Sequence, residues 1–161
     1  MEPAFDALSG VMLTTLGYTG GEERDPTYED VAFGHTGHAE AIQVVFNPSM
    51  ISYSELLDVF WRNIDPTQVD GQFTDRGRQY RTAIFYHSEE QKGLAEASKE
   101  ALKRSGRFDR EIVTEIVPAS DFYKAEEYHQ EYYKKNPLRY EAYKYGLGRD
   151  QFMEKLWGGK N

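Results

Sequence analysis

Apolar positions along this chain fall into short runs of two different periods. Phe5 and Leu8 stand three apart ahead of Gly10, so Pro3 to Leu8 reads as the last turns of a helix. Val11 to Tyr18 is apolar and β-branched enough for a strand, and Glu40 to Asn47 predicts a second, ended by the turn at Asn47-Pro48. The two predict an antiparallel hairpin with a long connection. Ser52 and Ser54 precede Glu55, Leu56, Leu57, Val59, Phe60 and Ile64, the pattern of a capped amphipathic helix that stops at Asp65-Pro66. Residues 66–80 lack periodicity and read as a second long loop. Thr82 to His87 predicts a short strand, Ser88 opens a helix to about Arg104, and Ile112 to Val117 predicts a strand stopped by Pro118. Ala125 to Lys135 predicts a helix broken by Pro137, and a short helix follows near Asp150 to Leu156. Helices alternating with strands around one hairpin predict an α+β fold: a mixed or antiparallel sheet with helices on one face. No repeat or linker divides the chain, so residues 1–161 read as one domain.

The net charge of −8 argues against a nucleic-acid surface, which needs a basic footprint. Arg76, Arg78 and Arg81 do gather, but Asp70 and Asp75 interrupt them. No apolar run reaches the roughly 18 residues of a membrane span, and no signal peptide opens the chain, so the cytoplasm is the expected compartment. Twelve tyrosines raise the aromatic share to 14%, and most of them suit the rim of a core, ring inward and hydroxyl outward. The absence of cysteine excludes disulfides, thiolate metal sites and a cysteine nucleophile within these residues.

Candidate chemistry falls on the two long connections. Gly17 to Glu40 holds five glycines, two histidines and two tyrosines, a composition poor for a core and suited to a site. It offers Tyr28, His35, His38 and Glu40; the second loop offers Asp75, Gln79 and Tyr80. Taken singly, Glu40 reads as a strand-end carboxylate facing water, Asp75 as a turn residue capping its own backbone, and Tyr28 equally as a loop anchor. At the mouth of a buried strand, however, Glu40 loses solvation, which raises its pKa from about 4.3 and fits it for general acid work. Nearby tyrosine hydroxyls can hydrogen-bond a substrate oxygen. His35 and His38, three apart and close to Glu40, lack the i, i+4 spacing of zinc helices. Gly17 to Gly21 is no phosphate loop, because no Gly-Lys-Ser/Thr follows.

Read together, Gly17-Tyr-Thr-Gly-Gly21, Pro26-Thr-Tyr28 and Gly34-His-Thr-Gly-His-Ala-Glu40 resemble peptide methionine sulfoxide reductase A. The likeness continues through Phe60-Trp61, Asp65-Pro66, Asp75-Arg-Gly-Arg-Gln-Tyr-Arg81 and Ala125-Glu-Glu-Tyr-His-Gln130, then Gly148-Arg-Asp150 and Leu156-Trp-Gly158. This resemblance implies a ferredoxin-like two-layer fold and reduction of the S epimer of methionine sulfoxide, free or peptide-bound, in repair of oxidised proteins. By motif, Glu40 would protonate the sulfoxide oxygen, Tyr28 and Tyr80 would donate hydrogen bonds to it, and Asp75 would orient the substrate. The resemblance implies a monomer with no bound cofactor or metal, recycled by an external thiol donor such as thioredoxin, with no nucleic-acid or membrane partner.

One departure is large. The family's nucleophile lies in a Gly-Cys-Phe-Trp motif between its first strand and first helix, and Met1 stands where that motif has just ended. The first strand is therefore expected to be missing, as is the family's resolving cysteine, which would fall near Leu147. A start lying upstream and encoding cysteine or selenocysteine is one explanation. A cysteine-free module that binds oxidised methionine without reducing it is the second, and a zinc protein stands as a third class of function. As it stands the chain is expected not to turn over, and to be less stable for want of a strand.

Overall fold

The computed structural model describes residues 1–158, so the last three residues of the domain predicted over 1–161 lie outside the described residues. The first half runs α1 (Glu2–Asp6), β1 (Val11–Thr19), α2 (Tyr28–Ala32), β2 (Ala39–Phe46), α3 (Tyr53–Trp61), β3 (Gly71–Gln72) and β4 (Asp75–Arg76). A 3-10 turn (Arg78–Tyr80), β5 (Ala83–Tyr86), α4 (Glu89–Arg104), β6 (Glu115–Pro118) and β7 (Tyr123–Lys124) follow. A second 3-10 turn (Glu127–His129), α5 (Tyr132–Lys135), α6 (Pro137–Leu147) and α7 (Arg149–Trp157) complete it. The fold is α+β, and the hairpin predicted from periodicity forms: β1 and β2 are antiparallel, with Tyr18 opposite Glu40 and Leu16 opposite Ile42.

The sheet comes in pieces. β1 lies between β2 and β7, whereas β5 and β6 pair in parallel across α4, and β3 and β4 form a separate small hairpin. Among the described residues β2 and β5 each have one paired edge and one open edge. Helices α1, α3 and α4 bury their apolar faces in two adjoining clusters. Phe5, Ile51 and Leu56 pack with Ile42 and Val44 of β2; Leu57, Trp61 and Ile64 pack with Ile84, Ala95, Leu102 and Ile112. Ser52 caps α3 through a reciprocal bond with Glu55, as its sequence predicted, and Ser88 caps α4 by accepting from the Gln91 N–H. No helix among the described residues is long and apolar enough to cross a membrane.

Four expectations change. The connection between β1 and β2 is not all loop, because Thr27 and Asp30 form a capping box that starts α2. β6 begins three residues late: Ile112 is spent in the core and the Val113 N–H donates to the Pro66 carbonyl at 2.8 Å. The helix predicted over Ala125 to Lys135 shrinks to α5. Ala125 instead extends the strand, its N–H donating to the Leu16 carbonyl at 2.9 Å, and Glu131 breaks the chain in the left-handed region at φ 52°. Pro137 does not end that helix but opens α6, the first-turn position where its missing N–H costs nothing.

Gln130 explains why tertiary pairing wins there. Its buried amide acts as one more strand residue: Oε1 accepts from the Leu16 N–H at 2.9 Å, while Nε2 donates to the carbonyls of Leu16 at 2.8 Å and Ala125 at 3.0 Å. Gln130→Leu strands the Leu16 N–H, while the Leu16 carbonyl keeps the bond from the Ala125 N–H, and the expected cost is about 1–3 kcal/mol. Urea unfolding measures it, and a loss below about 0.5 kcal/mol would show the clamp to be dispensable.

Candidate active site

Glu40 stands at the entry of β2, on the same face as Tyr18, its cross-strand partner. The loop before it is pinned by His38. The Gly21 N–H donates to His38 Nδ1 at 3.1 Å, which places the proton on Nε2, and Nε2 donates to the Glu23 carbonyl at 2.7 Å. Both ring nitrogens are therefore engaged by backbone, and His38 serves as a buried post rather than as a ligand. Position 21 must be glycine, since a Cβ there would come within 2.5 Å of the His38 backbone nitrogen. Arg81 ties the same loop from the other side, donating to the Gly37 carbonyl at 3.0 Å.

Tyr28 is the first residue of α2, and its ring packs at 4.4 Å from that of His129. Asp75 and Tyr80 arrive on the second connection, which two more glutamine clamps make rigid. Gln72 bonds both the N–H and the carbonyl of Asp65, at 3.0 and 2.8 Å, and Gln68 bonds both groups of Phe73, at 2.6 and 3.0 Å. Gly77 turns the chain at φ 132°, a conformation open to glycine, so that Arg78–Tyr80 can coil behind Asp75. Gln79 then donates to the Ala32 carbonyl at 2.8 Å and locks this turn onto the end of α2. Two connections far apart in sequence thus present their polar residues to one another.

Tyr28, Glu40, Asp75 and Tyr80, the four residues to which the family resemblance gave roles, all line one cavity of about 740 Å³. Its apolar wall includes Leu16, Ala41, Ile42 and Ala125. Water reaches Glu40 through the mouth, yet the protein around the carboxyl strips much of its solvation, and the Asp75 charge adds repulsion. Together they push its pKa up to about 7. No lysine or arginine lines the described wall to oppose that shift. Tyr80 is pushed up to about 12, by burial and then by the charges of Glu40 and Asp75, so its hydroxyl remains a donor. The cavity therefore presents a protonatable acid and tyrosine hydroxyls beside an apolar surface, which suits a polar oxygen carried on an apolar side chain.

The second loop's turn also brings in what sequence reasoning missed. Tyr140 and Tyr143 of α6 reach the same cavity, and the Tyr143 hydroxyl donates to Asp75 Oδ2. Their i, i+3 spacing would have marked them, had a helix been read after Pro137. His129, quoted above only as part of a motif, lines the wall as well, with its pKa lowered by burial. His35 lies beside the Phe33 ring, away from the lining residues. Among the described residues no group of three histidine, aspartate or glutamate side chains is placed to hold a metal ion.

The family model described as peptide methionine sulfoxide reductase matches residues 1–161. Proteins named peptide methionine sulfoxide reductase MsrA are similar over nearly the full chain. The one from Bacillus subtilis is 51% identical, covering 99% of this chain and 90% of its own length; that from Bacillus licheniformis is 50% identical, covering 100% and 89%. Methionine sulfoxide reductase A of Corynebacterium diphtheriae superposes with a TM-score of 0.75 at 35% identity over 85% of this chain and 69% of that one. Reduced Mxr1 from Saccharomyces cerevisiae gives 0.73 at 40% identity over 80% and 74%. With the family model matched from end to end and half the residues shared with these relatives, the chain belongs to the peptide methionine sulfoxide reductase family.

Proposed function

We propose that this cavity binds the sulfoxide group of methionine sulfoxide, free or peptide-bound, and that Glu40 is the acid which protonates its oxygen. The observation that carries this reading is a carboxyl raised to about 7 in a cavity shared with Tyr28, Tyr80 and Asp75. A sulfoxide oxygen becomes a good leaving group on protonation, and a carboxyl half-protonated near neutrality is matched to that task. Tyr28 and Tyr80 donate hydrogen bonds to the same oxygen, Asp75 orients the substrate, and Leu16 and Ile42 receive the apolar carbons.

Reduction needs a nucleophile, and these 161 residues contain no cysteine. A thiolate or selenolate carried outside them would attack the sulfoxide sulfur. The S–O bond breaks, oxygen passes with the Glu40 proton to the nucleophile as sulfenic or selenenic acid, and the thioether is released. An external dithiol such as thioredoxin then supplies two electrons, restores the nucleophile and releases water. A groove of about 360 Å³ offers a path for such a group. It is lined by the open-edged strands β2 and β5 over an apolar floor from α3, and it shares Met1 and Glu40 with the acid cavity. An extended segment in this groove would pair both edges and end beside α1, next to Glu40.

Titration of the chain with dimethyl sulfoxide and methionine-S-sulfoxide tests the acid. Binding is strongest well below the Glu40 midpoint of about 7 and weakens above it, as the ionised carboxylate repels the oxygen. Glu40→Gln keeps a donor and flattens the profile; a pH-dependent Glu40→Gln would remove Glu40 from the role. Stability carries the same sign. With the folded pKa above that of a solvated glutamate, the wild type loses stability relative to Glu40→Gln as pH rises from 4.5 to about 7, and thermal melts across that window read the difference. An N-terminal extension carrying a strand and Gly-Cys-Phe-Trp should raise the melting midpoint by at least about 4 °C and confer turnover. The serine version should keep the midpoint and lose turnover. An unchanged midpoint would refute the groove's proposed use.

A further inference from the structure

Helix α6 buries no residue of its own, yet it is held at both ends. Before it, the Tyr133 ring of α5 packs at 6.0 Å from Tyr140. After it, Gly148 turns in the left-handed region at φ 69° into α7. That helix is tied to the body: Arg149 donates to Asn63, Arg107 donates to the Leu156 carbonyl at 2.8 Å, and Arg62 and Arg107 lie over the Trp157 ring at 4.5 and 4.4 Å. Phe152 of α7 also packs edge-on against Phe73, in the turn between β3 and β4, at 5.7 Å. The two C-terminal helices are therefore joined by packing to the hairpin that carries Asp75.

We propose that Tyr143 is a positioning residue of the acid site: its hydroxyl, delivered by α6, pins the Asp75 carboxylate on the Glu40 side of the cavity. Asp75 lies on a two-residue strand beside an open cavity, where an untethered carboxylate turns towards bulk water. Tyr143 is exposed, and its hydroxyl donates to Asp75 Oδ2 at the solvent side of the cavity. Burial, the bond to Asp75 and the charges of Asp75 and Glu40 all hold that hydroxyl protonated, so it stays a donor across the working range. Burial raises the Glu40 carboxyl first, and Asp75 held in place is the charge that adds to that rise. Tyr143 thus acts on Glu40 through Asp75.

Glu40 is faced by Tyr18 from β1, Tyr28 from α2, Asp75 from β4, Tyr80 from the first 3-10 turn and Tyr143 from α6. Glu2 of α1 and His129 of the second 3-10 turn stand round the same cavity, and the variants below leave both in place. Carboxyl carbon NMR titration of Glu40 in the full chain reads the effect. Tyr143→Phe, which keeps the ring, is expected to lower the Glu40 midpoint by roughly half a unit to one unit, and Asp75→Asn to lower it at least as far. The double variant should fall no further than Asp75→Asn, because the path runs through Asp75. In the wild type at low temperature the Tyr143 hydroxyl proton should appear downfield, and it should vanish in Asp75→Asn; this readout holds even if Tyr143→Phe folds poorly. An unmoved Glu40 midpoint, additive variants or the absence of that proton signal would each overturn the proposal. This inference rests on Glu40 being the acid, yet none of its measurements uses a sulfoxide. Its failure is therefore separate from failure of the sulfoxide reading, which the binding titrations decide.

Discussion

The antiparallel register of β1 against β2 sets where the acid of the cavity stands. It places Glu40 opposite Tyr18 and on one face with it, while Ala41 opposes Gly17. Side chains alternate along a strand, so a slip of one residue would carry Glu40 to the opposite face and put Ala41 in its place. Ile42 and Val44 resist such a slip because they are committed to the core around Phe5 and Leu56. The burial that stabilises the hairpin is thus also what aims the carboxyl. The same register leaves Glu40 where solvation is incomplete, which is why its pKa rises.

Around that hairpin the molecule uses side-chain amides where a sheet would use peptide groups. Gln68, Gln72 and Gln130 each bond both backbone groups of another residue, Phe73, Asp65 and Leu16 respectively. Such a clamp satisfies a buried donor and acceptor together, and leaving them unpaired would cost about 1–3 kcal/mol each. Two of the three clamps lie in the connection carrying Asp75 and Tyr80, which has little apolar burial of its own. Gln79 and Arg81 then tie it to the connection carrying Tyr28 and Glu40. Polar side chains hold polar loops in place, and the cavity keeps its shape without a core beneath every residue that lines it.

Apolar, β-branched runs located β1, β2 and β5, and the helical spacing of apolar residues after a capping serine located α3 and α4, because these signals are local to the chain. They failed where pairing with a distant partner overrode local preference. Ala125 to Gln130 has the composition of a helix, but β1 offers its backbone and the Gln130 amide a better set of partners. The helix over Pro137–Leu147 was invisible for the opposite reason: it buries no residue, so its sequence carries no apolar stripe to read. Its tyrosines nonetheless complete the wall of the cavity.

The sequence by itself determined the α+β class, the family and the short set of polar residues at the two glycine-bearing connections, since these follow from local patterns and ordered motifs. It could not determine that Tyr143 meets Asp75, a contact spanning 68 positions. Nor could it show that β2 and β5 each leave an edge unpaired along one groove. Those are properties of distance in space, and only packing brings such residues together. Whether Glu40 is an ordinary surface carboxylate or an acid poised near neutrality depends on how much water and how much like charge surround it, and that is decided by the folded chain.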